Sequence, residues 1–228
     1  MSPLYLYAVL GAVPAAPLGE GLAGEPLRTI DCGAVVAAVG PIAESPPVSP
    51  ESLRGHDAVV RRLTRAVDAL LPARFGTLAP DARGLCERLE GAAADLHDAL
   101  ARVAGREQMI LRVFTDGPGA APPPAMDASD AGGPGTRYLA ERARAQRAAT
   151  TIGELAPLRP VLDRFVTAER VERHDALPLV ASVYHLVPRG ASAEYATAVE
   201  DAARRLSGMR VTVSGPWAAY AFAPETLG

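Results

Sequence analysis

With 228 residues, of which 49% are apolar and 21% charged, the chain can bury a core without disulfides or metal; aromatics make up only 5%, so that core must be mostly Leu, Val and Ala. The net charge of -3 argues against a general nucleic-acid binder, and the absence of Lys and Asn excludes a Schiff-base or phosphate-loop lysine and an Asn-centred oxyanion site. Cys32 and Cys86 are too few and too far apart for a zinc motif or a disulfide framework, which points to a reduced cytoplasm, and no apolar run approaches the ~18 residues needed to cross a bilayer.

Taken in order, Leu4-Tyr5-Leu6-Tyr7-Ala8-Val9-Leu10 is apolar at every position, which predicts a strand covered on both faces. No basic stretch precedes it and Pro14 and Pro17 follow, so it does not read as a signal peptide. Two β-prone runs, 27–32 and 34–39, flank Gly33 as a hairpin, and the prolines between 41 and 50 mark a loop. Ser49-Pro50-Glu51 starts a helix, with Ser as N-cap and Pro at the first helical position; its apolar stripe is Val59, Leu63, Val67 and Leu70, and Pro72 ends it. Residues 73–78 follow as a short extended piece. A second long helix is predicted over about 81–104, with Leu85, Leu89, Leu96, Leu100 and Val103 on one face and Gly105 as its stop. Gly91 inside it costs about 1 kcal/mol relative to Ala.

Residues 108–114 read as a strand, and 115–135, with Pro122-Pro123-Pro124 and Gly132-Gly133-Pro134-Gly135, as a flexible insertion. A helical stretch from Thr136 to about Ala168 breaks around Pro157 to Pro160, followed by a weak strand at 169–174 and a stronger one at 177–187. Ser192 caps a helix with Tyr195, Ala198, Val199, Ala202 and Leu206 on one face, ended by Gly208. Met209, Val211 and Val213 then alternate with Arg210, Thr212 and Ser214 as a half-exposed strand closed by Ser214-Gly215-Pro216-Trp217. The order strand, helix, strand, strand, helix, strand is the split βαβ, ferredoxin-like pattern. The expected class is α+β in two domains: a mixed strand and helix domain over 1–106, and a ferredoxin-like domain over 107–228 carrying the insertion.

Chemistry-bearing constellations are scarce. His56, His97, His174 and His185 have no metal-ligand spacing, no Ser sits in a Gly-x-Ser-x-Gly elbow, and the last strand lacks the exposed aromatics of an RNA-binding sheet. Gly132 to Gly135 precedes a predicted helix start but matches neither phosphate-binding fingerprint. Arg137, Arg142, Arg144 and Arg147 form either a docking surface for an acidic partner or a solvated helix face. Trp217, Tyr220 and Phe222 form the strongest aromatic cluster, suited to core packing first and interface anchoring second.

Four stretches are shared with a known family: Leu4-Tyr5-Leu6-Tyr7-Ala8-Val9, Leu71-Pro72-Ala73-Arg74-Phe75-Gly76-Thr77, Gly135-Thr136-Arg137-Tyr138-Leu139 and Gly215-Pro216-Trp217-Ala218-Ala219-Tyr220-Ala221-Phe222. In this order, and across essentially the whole chain, they resemble the signature stretches of the gas vesicle GvpL/GvpF family. Ala218-Ala219 stands where that family often has a second Pro pair, and both the L-type and the F-type remain open. The resemblance implies a non-enzymatic, cytoplasmic, vesicle-associated accessory protein, without catalytic residues, cofactor or metal. Its implied partners are the major shell protein and other gas vesicle proteins, engaged by covering apolar surface or an open strand edge. The expected partner surface combines Arg74, Phe75 and Gly76 with Arg137, Tyr138 and Arg142 and with Trp217 and Tyr220. The alternative is a small-ligand or phosphate-handling enzyme built on Gly132 to Gly135 and the nearby arginines.

Overall fold

The computed structural model describes residues 3–42, 44–115 and 153–228. It is an α+β chain with two sheets, and its described part divides into two compact units. One comprises Met1–Gln108, Leu186–Arg189 and Pro216–Gly228; the other comprises Met109–His185 and Gly190–Gly215. Pro216–Gly228 therefore groups with the N-terminal residues, although sequence order places it with 107–228. Backbone and side-chain bonds account for this: Arg74 N donates to Leu227 O (2.8 Å) and Ala221 N to Gln108 Oε1 (2.8 Å).

In the first unit, β1 (Leu4–Leu10) is central, as its uniform apolarity predicts, in a sheet ordered β2-β3-β1-β4 to which β5 adds on β1. β2 (Arg28–Asp31) and β3 (Val36–Pro41) form the expected hairpin, with Gly33 at φ 75° in its turn. The β1–β3 register shifts between Leu6 and Ala8. That irregularity changes which side chains share a face, so that Tyr5, Tyr7, Ala8 and Leu10 all enter one core cluster with Val59, Val60 and Leu63 of the helix above. Leu4, Leu6 and Val9 are buried as well, so β1 is covered on both sides.

Helix α1 (Pro50–Ala66) starts as the sequence dictates: Ser49 Oγ accepts from Ser52 N at 3.1 Å, and Pro50 needs no donor there. It ends earlier than predicted. Val67 is already extended, and Leu70–Pro72 is strand β4, with Val9 opposite Leu71 and Leu10 opposite Leu70. Val67, Leu70 and Leu71 all fit the spacing of a helical stripe from Leu63, but pairing with the central strand buries all three residues of β4 instead. The second predicted helix is two helices, α2 (Ala82–Glu90) and α3 (Ala93–Val103), separated at Gly91, whose weak helical preference falls in the middle of the segment, whereas Gly84 lies in the first turn of α2. Between β4 and α2 lies β5 (Leu78–Ala79).

One expectation is overturned outright. Cys32 and Cys86, 54 residues apart, form a disulfide with Cα atoms 4.9 Å apart. Distance along the chain is no obstacle, because the hairpin brings Cys32 to its tip and α2 carries Cys86 onto it. In the chain-entropy view, closing a loop of this size stabilises the fold by roughly 4 kcal/mol.

The second sheet holds β6 (Arg106–Thr115), β7 (Ala168–Arg173), β8 (Leu179–Pro188) and β9 (Met209–Trp217) in the order β7-β8-β6-β9, the order a split βαβ arrangement gives. The expected break near Pro157 is a 3-10 turn, Gly153–Leu158, followed by the single helical turn α4 (Arg159–Leu162). Helix α5 (Ser192–Ala203) begins after Ala191, which makes no side-chain cap, so Ser192 is its first residue and not its N-cap. The insertion predicted at 115–135 and the helix start at Thr136 lie outside the described residues, apart from Thr115, which closes β6.

Candidate functional site

Two polar networks and one aromatic surface stand out. The first network hangs on β1. Tyr5 and Tyr7 are two residues apart and both point under α1, where His56 meets them. The Tyr5 and Tyr7 ring centroids are 4.7 Å apart, and His56 stacks on Tyr7 at 5.6 Å. His56 Nε2 donates to the Ala73 carbonyl (3.2 Å), which leaves Nδ1 to accept from Tyr5 Oη (3.0 Å); Gly76 N donates to the same hydroxyl at 2.9 Å. Tyr7 Oη donates to Glu25 Oε1 and accepts from Leu22 N (2.9 Å), and Ala23 N donates to Glu25 Oε2 (2.9 Å). Burial raises the pKa of both tyrosines, with Glu25 adding to the effect, and burial lowers that of His56. Tyr5, Tyr7 and His56 are thus held neutral. The network fastens two loops, 21–25 and 73–77, to the central strand.

The second network lies in the other unit. Arg159 grips Glu169 with two bonds (3.0 and 2.9 Å), His185 Nε2 donates to Glu169 Oε2 at 2.7 Å, and His185 Nδ1 meets Tyr195 Oη at 2.6 Å. Burial would raise the Glu169 pKa, but the bonds and charges of His185 and Arg159 outweigh it and hold the carboxyl at about 2. A hydroxyl, an imidazole and a carboxylate in series have the connectivity of a nucleophilic relay. Here both His185 and Tyr195 are 0% exposed, Tyr195 stands edge-on to Phe165 at 5.9 Å, and burial raises its pKa. No substrate can reach that hydroxyl; the relay pins α5 and α4 to β8 and β7.

The aromatic surface carries the residues singled out from sequence. Arg74 is exposed, while Phe75 and Gly76 are half-buried. The Phe75 ring stands edge-on to Tyr5 (6.3 Å) and His56 (5.8 Å), and Gly76 turns the chain at φ 86°. Thr77 N closes this turn on Arg74 O (3.2 Å), and Leu227 O receives Arg74 N, so loop and C-terminal segment are stitched together. Trp217 is half-buried beneath the Arg61 guanidinium, 4.5 Å from its ring centroid, and Arg61 Nε is 2.7 Å from Asp57 Oδ2. Tyr220 packs against the core cluster, and burial raises its pKa. Arg61 and Asp57 were not singled out from the sequence; their i, i+4 spacing is the one signal that links them. Arg137, Tyr138 and Arg142 lie outside the described residues. Among the described residues no three His, Cys, Asp or Glu side chains gather to hold a metal, and no helix is long and apolar enough to cross a membrane.

The model of the family described as gas vesicle synthesis protein GvpL/GvpF matches residues 3–224. The chain belongs to this family. It is 31% identical over 256 residues to gas vesicle protein L of Streptomyces sp. (strain CB03234), an alignment covering 96% of this chain and 92% of that one. The crystal structure of GvpF from Anabaena sp. PCC7120 superposes with a TM-score of 0.70 at 16% identity, over 98% of this chain and 97% of that one. GvpF from Microcystis aeruginosa gives 0.72 at 17% identity, over 98% and 100%. At these identities the two structures speak for the fold alone. In this chain the Arg74–Thr77 turn is bonded to Leu227, in the C-terminal segment that follows the Gly215–Phe222 stretch.

Proposed function

We propose that this chain is a non-enzymatic accessory protein of gas vesicle assembly that works in the cytoplasm and associates with the vesicle, binding the major shell protein, other gas vesicle proteins, or both. The observation that carries this reading is the family match over nearly the whole chain. The proposed contact surface is the Arg74–Gly76 turn with Trp217, Arg61 and Tyr220; Arg137, Tyr138 and Arg142, outside the described residues, are proposed as further partner-binding residues. Its chemistry suits protein binding, because a half-buried Trp beneath an Arg offers a flat, rigid anchor with little side-chain entropy left to lose, the composition of binding hot spots. An exposed arginine at the adjoining turn adds a charge that selects orientation.

The test is co-purification of the tagged chain with the shell protein and the remaining gas vesicle proteins, together with vesicle formation in cells lacking the native copy. Arg74→Ala and Arg61→Ala are expected to weaken retention of a vesicle component while leaving the melting temperature within a few degrees of the parent. Clean failure of the parent chain to retain any vesicle component would overturn the reading. Retention that is unchanged in both variants would overturn the surface but not the role.

A further inference from the structure

The first unit contains a disulfide whose two ends are anchored very unequally. Cys32 is a fixed post. It is 2% exposed, sits at the tip of the β2–β3 hairpin, and its backbone is tied into the turn by Cys32 N to Val35 O (3.0 Å) and Ala34 N to Cys32 O (2.9 Å). Asp31 Oδ1 braces the same turn from Gly33 N at 2.9 Å, and β3 continues the hairpin into the central strand.

Cys86 rides on a movable arm. α2 has only nine residues, of which Leu85 and Leu89 alone are buried. Its ion pair, Arg83 with Glu87, is exposed and internal to the helix, so it fastens α2 to nothing else. Arg88 reaches the Leu78 carbonyl at 3.5 Å, while its Nε and Nη2 are buried without a hydrogen-bond partner among the described residues, which opposes docking. Gly91 separates α2 from α3, and the two-residue strand β5 precedes Pro80 and Asp81 at the other end. Two leucines set against the ordering of nine residues leave little net docking, so the covalent link decides where α2 lies.

We infer that the Cys32–Cys86 disulfide is a thiol-reversible latch on α2, and that its reduction releases α2 while the sheet and α1 stay folded. Cys86 is the half-buried partner and Cys32 the buried one, so a reductant enters at Cys86. A dithiol reductant supplies the two electrons: its thiolate attacks the Cys86 sulfur, the S–S bond breaks, and Cys32 leaves as a thiolate that takes a proton. The second thiol of the reductant then displaces Cys86, which takes the other proton as the reductant closes to its own disulfide. Release bares the apolar stripe of Leu85 and Leu89 and returns solvent to the Arg88 guanidinium. This device goes beyond the assembly role and does not depend on it.

Hydrogen-exchange mass spectrometry on the full chain tests the latch, with the protein oxidised by diamide or reduced by dithiothreitol and the thiol state read by alkylation. On reduction, amides of 85–91 are expected to lose their protection and exchange about tenfold faster or more, while those of β1, β3 and α1 stay protected. Cys86→Ser should show the fast pattern with or without dithiothreitol. Three results would each overturn the inference: two alkylatable thiols after oxidation, α2 exchange indifferent to reduction, or loss of protection throughout the first unit, which would make the disulfide a global staple. Because the wild-type chain is itself switched, a variant that fails to fold does not blunt the test.

Discussion

Replacing Glu169 by Gln puts a magnitude on the Arg159–Glu169–His185 network. The carboxylate accepts two bonds from Arg159 and one from His185, its side chain is 16% exposed, and its pKa of about 2 lies about 2.5 below the ordinary value of 4.5. At about 1.36 kcal/mol per pKa unit this corresponds to roughly 3 kcal/mol, trimmed to about 2 because Arg159, at 33% exposure, is partly screened by solvent. Since the folded pKa is depressed, this stability is fully present above the unfolded value near 4.5 and is lost as pH falls toward 2. Glutamine keeps one acceptor oxygen but turns an N–H toward donors. Urea unfolding followed by circular dichroism should therefore show Glu169→Gln less stable than the parent by about 2 kcal/mol at pH 7, with the gap narrowing between pH 5 and pH 3. A gap that stays constant with pH, or no gap at pH 7, would refute the argument that an ionised, bonded carboxylate holds this site together.

Gly40→Ala places a Cβ 2.6 Å from Glu25 Cγ and 2.8 Å from its Oε1, and that side chain is fixed by Tyr7 and Ala23, so a cost of about 1 to 3 kcal/mol is expected in thermal unfolding. Trimming Glu25 to Ala in the Gly40→Ala background should then cost less than it does in the parent. Ser49→Ala removes the N-cap of α1 and should lower stability by about 1 kcal/mol in a urea titration. His56 has its pKa lowered by burial, so its contribution is full above the unfolded value near 6.5 and is lost as pH falls below it. His56→Gln, which can still give to Ala73 and accept from Tyr5, should therefore show a smaller drop in melting temperature between pH 7.5 and pH 5.5 than the parent.

Legibility in the sequence followed the range of the interaction. Local rules sufficed for β1, whose apolarity at every position requires cover on both faces; for α1, whose Ser49-Pro50 start is a backbone matter; and for the four strands of the second sheet. They failed where a distant partner intervened. Leu70 and Leu71 left the helical stripe because β1 offered them a strand edge, and Gly91 became a break once two short helices could each bury their own face.

By itself, then, the sequence determined most of the element types, the central strand and, through four ordered stretches, the family. The tertiary structure alone decided that Cys32 meets Cys86, that His185 and Tyr195 are sealed from solvent, that Arg61 covers Trp217, and that the Arg74 turn is bonded to Leu227. The physical reason is common to all four: each is a contact between residues far apart in the chain or on separate elements, set by how helices and strands pack, and no periodicity within a single segment encodes it.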